Sequence, residues 1–157
     1  MGYNLFERRG TKLNEENFET VLSNFKKSGV KITNQRKLIL KYLMKSRSHP
    51  TAKKIYLDLN KEDHNISLAT VYNTLDALIK ANLVIDIEDK KTSERHFDYF
   101  GSPHYHVICD ICGKIVDGHN YDFIPLLKIA KKESNYLIKD AHAEVHGICP
   151  SCQKRQN

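Results

Sequence analysis

Two identical cysteine pairs constrain the fold of this 157-residue chain more than any other feature. Cys109-x-x-Cys112 and Cys149-x-x-Cys152 contain all four cysteines of the sequence, with 36 residues between the pairs. One Cys-x-x-Cys turn lets two thiolates reach a single ion, and two such turns complete the tetrahedral sulfur shell of a closed, structural Zn²⁺ site. Because the gap exceeds that of an ordinary zinc ribbon, we expect the site to tie distant segments together.

Other interpretations of the cysteines fit less well. Four unrelated buried thiols would not explain two identical spacings, and a thioredoxin-like redox pair lacks its βαβ context. His142-x-Glu144 before the second pair superficially resembles the zinc deaminase signature. We reject that interpretation, because four intervening residues leave too little chain to place these ligands on separate elements. It would also leave the first cysteine pair without a role.

The positive charge lies in the first half of the chain. The formal net charge is +6, and residues 1–86 hold 15 Lys and Arg against 9 Asp and Glu, whereas residues 87–157 hold 10 of each. A basic half joined to a neutral half suggests that one part meets a polyanion. The alternative is a basic surface that serves solubility.

The sequence contains no apolar run near the roughly 18 residues that a membrane span needs. Its first ten residues also lack the apolar core of a signal peptide. We therefore expect a cytoplasmic protein without a membrane partner, in which cysteines bind metal rather than form disulfides.

Helical spacing of apolar residues recurs four times before residue 80. The first predicted helix spans 14–28, and Thr33, Thr51 and Ser67 are each placed to cap a later one. The buried face of the fourth helix is predicted to be Leu68, Val71, Leu75, Leu78 and Ile79. Its outward residues are predicted to be Ala69, Thr70, Asn73 and Thr74. Tyr72 lies four residues from Leu68 and three from Leu75 and fits either the buried or the outward face.

The overall pattern predicts an α+β protein with two domains. Strand-like runs over 84–88 and 96–100 follow the helices, so residues 1–100 are predicted to form a winged helix-turn-helix. Residues 101–157 are predicted to form a small α+β domain, with strands over 104–109 and 114–117 and one or two more over 136–145. A helix over 121–134 is expected between them, with one face made of Phe123, Leu126, Leu127 and Ala130.

A second constellation combines nitrogen and oxygen donors. His104 and His106 alternate along a predicted strand and therefore share a face, with Asp98 and Asp117 on the strands before and after it. His49 lies at the start of the third helix. Such a mixed set suits Fe²⁺ or Mn²⁺ better than a sulfur site does. Exposed polar residues on a hairpin are the alternative that spacing alone leaves open.

The sequence resembles the ferric uptake regulator (Fur) family in ordered motifs from about Phe18 to Cys152, nearly the whole chain. The motifs are Thr33-x-x-Arg36, His49-Pro50-Thr51-Ala52-x-x-Ile55-Tyr56, Ser67-Leu68-Ala69-Thr70-Val71-Tyr72, His104-x-His106-x-x-Cys109-x-x-Cys112-Gly113-Lys114 and Gly147-Ile148-Cys149-Pro150-x-Cys152. Within the family it is most similar to the peroxide-sensing repressors. Asp117, where iron sensors usually carry Glu, and Asn73, where many carry Arg, indicate that branch.

The resemblance implies a homodimeric, metal-dependent repressor with a winged helix that binds palindromic duplex DNA and a C-terminal dimerisation domain. The family's structural zinc site falls on Cys109, Cys112, Cys149 and Cys152. Its regulatory Fe²⁺ or Mn²⁺ site falls on His49, Asp98, His104, His106 and Asp117. In the peroxide-sensing branch, oxidation of His49 and His104 would release metal and then DNA. The predicted DNA contacts are Arg36, Ser67, Ala69, Thr70, Tyr72 and Asn73.

Some positions and functions fall outside this interpretation. Ala141 stands where some members carry a histidine of a third metal site, with His142 one place off. The remaining histidines, His64, His96, His119 and His146, are interpreted as surface or hydrogen-bonded residues. Rival functions are a metal-responsive repressor without peroxide chemistry, a zinc hydrolase and a bare zinc-ribbon interaction module. We expect neither enzyme activity nor a small organic substrate, because there is no His-Glu-x-x-His and a Cys₄ site leaves zinc no open position.

Overall fold

The structure, a computed structural model, describes residues 18–90, 92–101, 104–119, 122–138 and 141–156. The described chain divides into two compact units, one within Glu15–Gly101 and the other within Ser102–Asn157. It contains six helices and two small sheets, which confirms the predicted α+β class. None of the helices in these described ranges is long and apolar enough to cross a membrane.

The first unit consists of four helices followed by a hairpin, the layout of a winged helix. Its elements are α1 (Phe18–Lys27), α2 (Asn34–Lys45), α3 (Ala52–Lys61), α4 (Leu68–Lys80), β1 (Val84–Glu88) and β2 (Arg95–Tyr99). The three predicted caps are confirmed: the side chains of Thr33, Thr51 and Ser67 each accept a hydrogen bond from the backbone amide three residues later.

One apolar core joins these elements. The helices contribute the fully buried residues Val21, Phe25, Ile39, Leu40, Ile55, Val71, Leu75 and Leu78, and β2 contributes Phe97. The antiparallel register of the hairpin pairs Ile87 with His96. Strand β2 also contacts the segment before α3, because the Phe97 amide donates to the Pro50 carbonyl at 3.0 Å.

Two predictions for α4 are wrong. Thr74 was predicted to point outward but is completely buried, because it lies three residues after Val71 and four before Leu78 and therefore shares their face. Leu68 was predicted to be buried but is 37% exposed, since it lies in the first turn, before the first core residue of the helix. Tyr72, which fitted both faces, is 45% exposed.

The second unit is built around a three-stranded sheet. Its elements are β3 (Tyr105–Cys109), β4 (Ile115–Gly118), α5 (Ile124–Ser134), β5 (Glu144–Gly147) and α6 (Pro150–Gln156). Strand β3 lies in the centre, antiparallel to β4 and parallel to β5. The parallel pairing places the chain after Cys109 beside the chain after Gly147.

Several predictions for this unit need correction. Residues 136–138 and 141–143 form no strand, and Tyr136 and Leu137 are 72% and 83% exposed. Helix α5 begins at Ile124, and Tyr121, the predicted start, lies outside the described residues. Helix α6 was not predicted, because its polar sequence has no apolar stripe; Pro150 begins it, a favoured residue at this position.

Candidate metal centres and nucleic-acid surface

The four cysteines of the second unit form one cluster. Cys109 ends β3 and Cys112 lies in the turn after it, while Cys149 follows β5 and Cys152 lies in α6. Their four Sγ atoms all lie within 4.8 Å of one another. Zn–S bonds of about 2.3 Å give tetrahedron edges of about 3.8 Å, and the Cys112 and Cys149 Sγ atoms are 3.8 Å apart. We call these four residues the Cys₄ cluster; their donor set fits a structural Zn²⁺.

Hydrogen bonds and burial shift the pKa values of the Cys₄ cluster in both directions, and the thiolate is the form that binds metal. The Cys149 amide donates to Cys109 Sγ at 3.3 Å. This bond, together with the Cys112 amide, lowers the pKa of the Cys109 thiol to about 6. The Arg155 guanidinium donates to Cys152 Sγ at 2.8 Å. Against the hydrogen bond from Arg155, which lowers the pKa of Cys152, burial and the hydrogen bonds from the other three cysteines raise it to about 11. Arg155 was not singled out from the sequence, since nothing in its spacing links it to the cysteine motif.

Two of the predicted regulatory ligands lie together in the first unit. His49 immediately precedes Pro50 and α3, and Asp98 is on β2. The His49 Nε2 and Asp98 Oδ1 atoms are 3.9 Å apart, and His49 is only 3% exposed. A buried imidazole facing a carboxylate is a suitable pair of donors for a divalent cation.

His96 is the neighbour of this pair that sequence reasoning missed. Its Nδ1 lies 2.8 Å from the His49 carbonyl oxygen. Because a carbonyl can only accept, Nδ1 carries the hydrogen and donates it. The two residues are 47 positions apart, so no local sequence pattern could have connected them.

The other three predicted ligands lie together in the second unit. The sheet register pairs His106 with Asp117, with Nε2 and Oδ1 atoms 3.8 Å apart. The Nε2 atoms of His104 and His106 approach to 3.0 Å, and both rings are buried. Two imidazole nitrogens at this distance need a proton or a cation between them, and Asp117 adds negative charge. Asp98, by contrast, lies on β2, which belongs to the other sheet.

The first turns of α4 present polar groups to solvent. Ser67, Ala69 and Asn73 are exposed, as is Tyr72, whereas Thr70 is half-buried and its hydroxyl lies 2.9 Å from the Ser67 hydroxyl. The Arg36 guanidinium on α2 donates to the Lys31 carbonyl at 2.6 Å. In the winged-helix layout, the exposed start of such a helix is the part that reaches base edges.

One face of the second unit's sheet is apolar and exposed. Val107 is paired with Val116 on one side and with Val145 on the other, so the three side chains share a face. Val116 and Val145 are 45% and 50% exposed. We call these three residues the valine face. Helix α5 likewise leaves Ile124, Leu126 and Ile129 more than two-fifths exposed, and of these Leu126 belongs to the predicted apolar face.

Two of the remaining histidines bind acidic neighbours on the surface. His64 Nε2 is 3.1 Å from Glu62, and His146 Nδ1 is 3.1 Å from Asp110. His119 is exposed. These positions agree with the interpretation of the three as ordinary surface histidines.

Comparisons with known proteins agree with the fold and the motifs. The model of the ferric uptake regulator family matches residues 27–146. The peroxide operon regulator of Bacillus subtilis (strain 168) is 40% identical over 136 residues, which cover 87% of this chain and 93% of that protein.

Two solved structures share the architecture. The Helicobacter pylori ferric uptake regulator Fur, a structure with three functional metal binding sites, has a TM-score of 0.70 at 25% identity and covers 90% of this chain and 97% of its own. PerR from Streptococcus pyogenes, solved to explain peroxide sensing and gene regulation, has a TM-score of 0.50 at 37% identity. It covers 87% of this chain and 92% of its own.

Proposed function

Because the chain belongs to the ferric uptake regulator family, we propose that it is a metal-dependent transcriptional repressor that senses hydrogen peroxide and then releases its operator. The observation that carries this proposal is a pair of donor sets in which buried imidazoles face half-buried carboxylates, His49 with Asp98 and His104 with His106 and Asp117. Buried imidazoles and carboxylates are costly unless they are paired or bind a cation. Family members regulate transcription, so we propose no enzyme activity.

Two metals would have separate tasks. The Cys₄ cluster would hold a structural Zn²⁺, which is redox-inert and has no open coordination position in a four-sulfur shell. The five nitrogen and oxygen donors would hold Fe²⁺ or Mn²⁺. Fe²⁺ at this site would supply one-electron reduction of hydrogen peroxide, and the ligand imidazoles would lie next to that chemistry. His49 and His104 are the proposed targets, and an oxidised imidazole is a poor ligand.

Control of DNA binding would follow from where the ligands lie in the sequence. His49 and Asp98 belong to residues 1–100, the proposed DNA-binding domain, and the other three ligands belong to residues 101–157, the proposed dimerisation domain. One ion that takes ligands from both sets would favour conformers whose two recognition helices match successive major grooves of a palindrome. Loss of that ion would lower DNA affinity. We place the protein in the cytoplasm, where the DNA lies.

Phosphate and base contacts come from the first unit in this proposal. The residues that would face base edges lie at the start of α4, with Arg36 on phosphates; they are the cap Ser67 and the helix residues Ala69, Thr70, Tyr72 and Asn73. Much of the phosphate-binding charge would come from Lys26, Lys27, Lys31, Lys37, Lys41, Lys53 and Lys54. The exposure of Tyr72 supports a contact with DNA over a role in the core.

The valine face supports a homodimer. Val116 and Val145 are about half exposed on this face, and covering such aliphatic side chains lowers the free energy relative to leaving them in water. A second copy of this chain could cover the valine face with its own valine face and with the apolar side of its helix α5. A dimer with two-fold symmetry would in turn require an operator with two related half-sites.

Peptide mapping after peroxide treatment tests the sensing step. The Fe²⁺-loaded, zinc-containing protein should gain oxygen in the peptides that carry His49 and His104 and lose DNA binding, whereas the Mn²⁺-loaded protein should do neither. If the Fe²⁺-loaded protein kept its DNA and gained no oxygen, peroxide sensing would be contradicted. The remaining candidate would then be a metal-responsive repressor without peroxide chemistry.

Substitutions distinguish residues that contact phosphates from residues that contact bases. Lys53→Ala should lower affinity equally for all sequences and reduce the salt slope by about one unit, whereas Asn73→Ala should change the sequence preference. Lys154→Ala in the second unit is the matched control and should change neither. If Lys53→Ala and Asn73→Ala gave the same salt-dependent loss, our assignment of the contacts would be wrong.

A further inference from the structure

The backbone of His49 adopts a conformation that its sequence disfavours. Its φ is +46°, in the left-handed region that residues other than glycine seldom adopt. His49 also precedes Pro50, and a residue before proline is normally extended. Something in the first unit must therefore hold this turn in place.

Strand β2 contacts that turn in two ways. The Phe97 amide donates to the Pro50 carbonyl at 3.0 Å, as part of a β-bridge that pairs Thr51 with His96. The second contact is the hydrogen bond from His96 Nδ1 to the His49 carbonyl at 2.8 Å. It is made by a side chain, and it acts on the carbonyl of the left-handed residue itself.

The same strand carries Asp98, two residues beyond His96. The hairpin register fixes His96 opposite Ile87, a buried core residue, so the imidazole has a rigid base. A donor at this place orients the peptide between His49 and Pro50. The orientation of that peptide is linked to the direction of the His49 side chain, whose Nε2 lies 3.9 Å from Asp98.

We propose that His96 is a positioning residue: its Nδ1–H holds His49 in the left-handed conformation that brings the His49 imidazole to Asp98. This inference rests on the proposed function in one respect, namely that His49 and Asp98 bind the regulatory metal. His96 itself is not a metal ligand in this proposal, because it belongs to none of the clusters of possible metal ligands among the described residues. Its role resembles that of the outer groups that orient ligands in metal sites.

Two substitutions separate the hydrogen bond from the ring. His96→Phe keeps an aromatic ring of similar size but has no donor. His96→Asn removes the ring but keeps an N–H donor, since the amide nitrogen is the same number of bonds from Cα as Nδ1. His64→Phe, at a surface histidine bonded to Glu62, is the matched control. His49→Ala reports whether the regulatory metal uses His49 at all.

Each full-length, zinc-loaded variant would be titrated with Mn²⁺ against a chelator. We expect His96→Phe to weaken Mn²⁺ binding about ten-fold, the lower range for loss of an outer-shell partner. His96→Asn should restore binding close to that of the original protein, and His64→Phe should leave it unchanged. Zinc content and the thermal midpoint should be the same in the original protein, His96→Phe, His96→Asn and His64→Phe.

A second measurement needs no regulatory metal. The Cα and Cβ chemical shifts of His49 report its backbone conformation. In the protein without Mn²⁺, these shifts should leave the left-handed range in His96→Phe and return to it in His96→Asn. This readout tests the positioning role even if His49 binds no metal.

The outcomes distinguish the two proposals. If His49→Ala abolishes Mn²⁺ binding but His96→Phe leaves it unchanged, the positioning role is overturned and the metal site stands. If His49→Ala has no effect, the proposed metal site fails, and the His49 chemical shifts alone decide the role of His96. If His96→Phe lowers zinc content and thermal stability with no rescue by His96→Asn, the role is merely structural and the inference is overturned.

Discussion

The two units of this chain bury apolar side chains to very different extents. The first unit gathers residues of all four helices and both strands in one core, in which at least eleven apolar side chains are less than 2% exposed. Among the described residues of the second unit, the buried apolar ones are Ile108, Cys109, Phe123 and Cys152. Most of its other large apolar side chains, such as Val145 and Leu137, are at least two-fifths exposed.

The difference indicates two sources of stability. Buried apolar area stabilises the first unit, at roughly 25 cal/mol per Å². The stretch 102–157 that contains the second unit has only 56 residues, a size at which a metal or a partner subunit usually supplements the core. Its stability should therefore depend on zinc and on a second copy of the chain, and the following changes test that dependence.

The largest effect is expected from loss of the Cys₄ cluster. Cys109→Ser should release zinc and unfold the second unit, because a structural Zn²⁺ contributes about 10–16 kcal/mol of apparent binding free energy to folding. Amide hydrogen exchange should show loss of protection in β3 and β5, with protection retained in α2 and α4. Ser151→Ala, between Cys149 and Cys152, is the control. Equal loss of protection in both units would contradict this contrast.

The next effect is expected in the core of the first unit. Leu75→Ala removes a fully buried side chain and should cost about 2–5 kcal/mol in free energy of unfolding. Leu57→Ala, at a residue that is 46% exposed in the same unit, should cost less than about 0.5 kcal/mol. Denaturant titration of this unit measures both. Similar losses for the two would mean that burial does not stabilise this unit as we infer.

A charge on the valine face should weaken the proposed dimer. Val145→Lys would bury a charge against the second copy, at a cost of about 2 kcal/mol or more. This cost corresponds to an increase of about 30-fold in the dissociation constant of the dimer, measured by analytical ultracentrifugation. Leu57→Lys on the first unit is the control and should leave the dimer intact. A dimer unaffected by Val145→Lys would show that association uses another surface.

The sequence predicted features that depend on neighbouring residues along the chain. The three helix caps are local hydrogen bonds, and the apolar stripes of α1 to α4 follow helical spacing, so both were found. The Cys₄ cluster was also expected, because each half is one short turn. Thr74 was misplaced because its polar type was given more weight than its helical phase, which puts it beside Val71 and Leu78.

Other features depend on parts of the molecule that the sequence does not connect. The apolar face of α5 was recognised, but spacing cannot tell whether the same chain covers it. Helix α6 has no apolar pattern, so it could be found only from the structure. The bond between His96 and His49 joins residues 47 positions apart, and no motif links them.

The smallest effect is expected from a core hydroxyl. Thr74 Oγ1 is buried and has no hydrogen-bond partner among the described residues. Thr74→Val has nearly the same shape without the hydroxyl and should raise the free energy of unfolding by about 1 kcal/mol. Thr70→Val, which removes a hydroxyl bonded to Ser67, should not stabilise the protein. Thermal unfolding distinguishes the two, and a lower midpoint for Thr74→Val would contradict the prediction.

The parallel pairing of β3 with β5 has a consequence for the order of folding. The hairpin of β1 and β2 closes across a short turn, whereas β3 must meet a strand that begins 35 positions after its own last residue. Contacts between residues far apart in sequence form slowly, because the intervening chain must be ordered first. The first unit should therefore fold early and alone. Zinc, whose ligands are separated by the same stretch of chain, should then set the rate at which the second unit is completed.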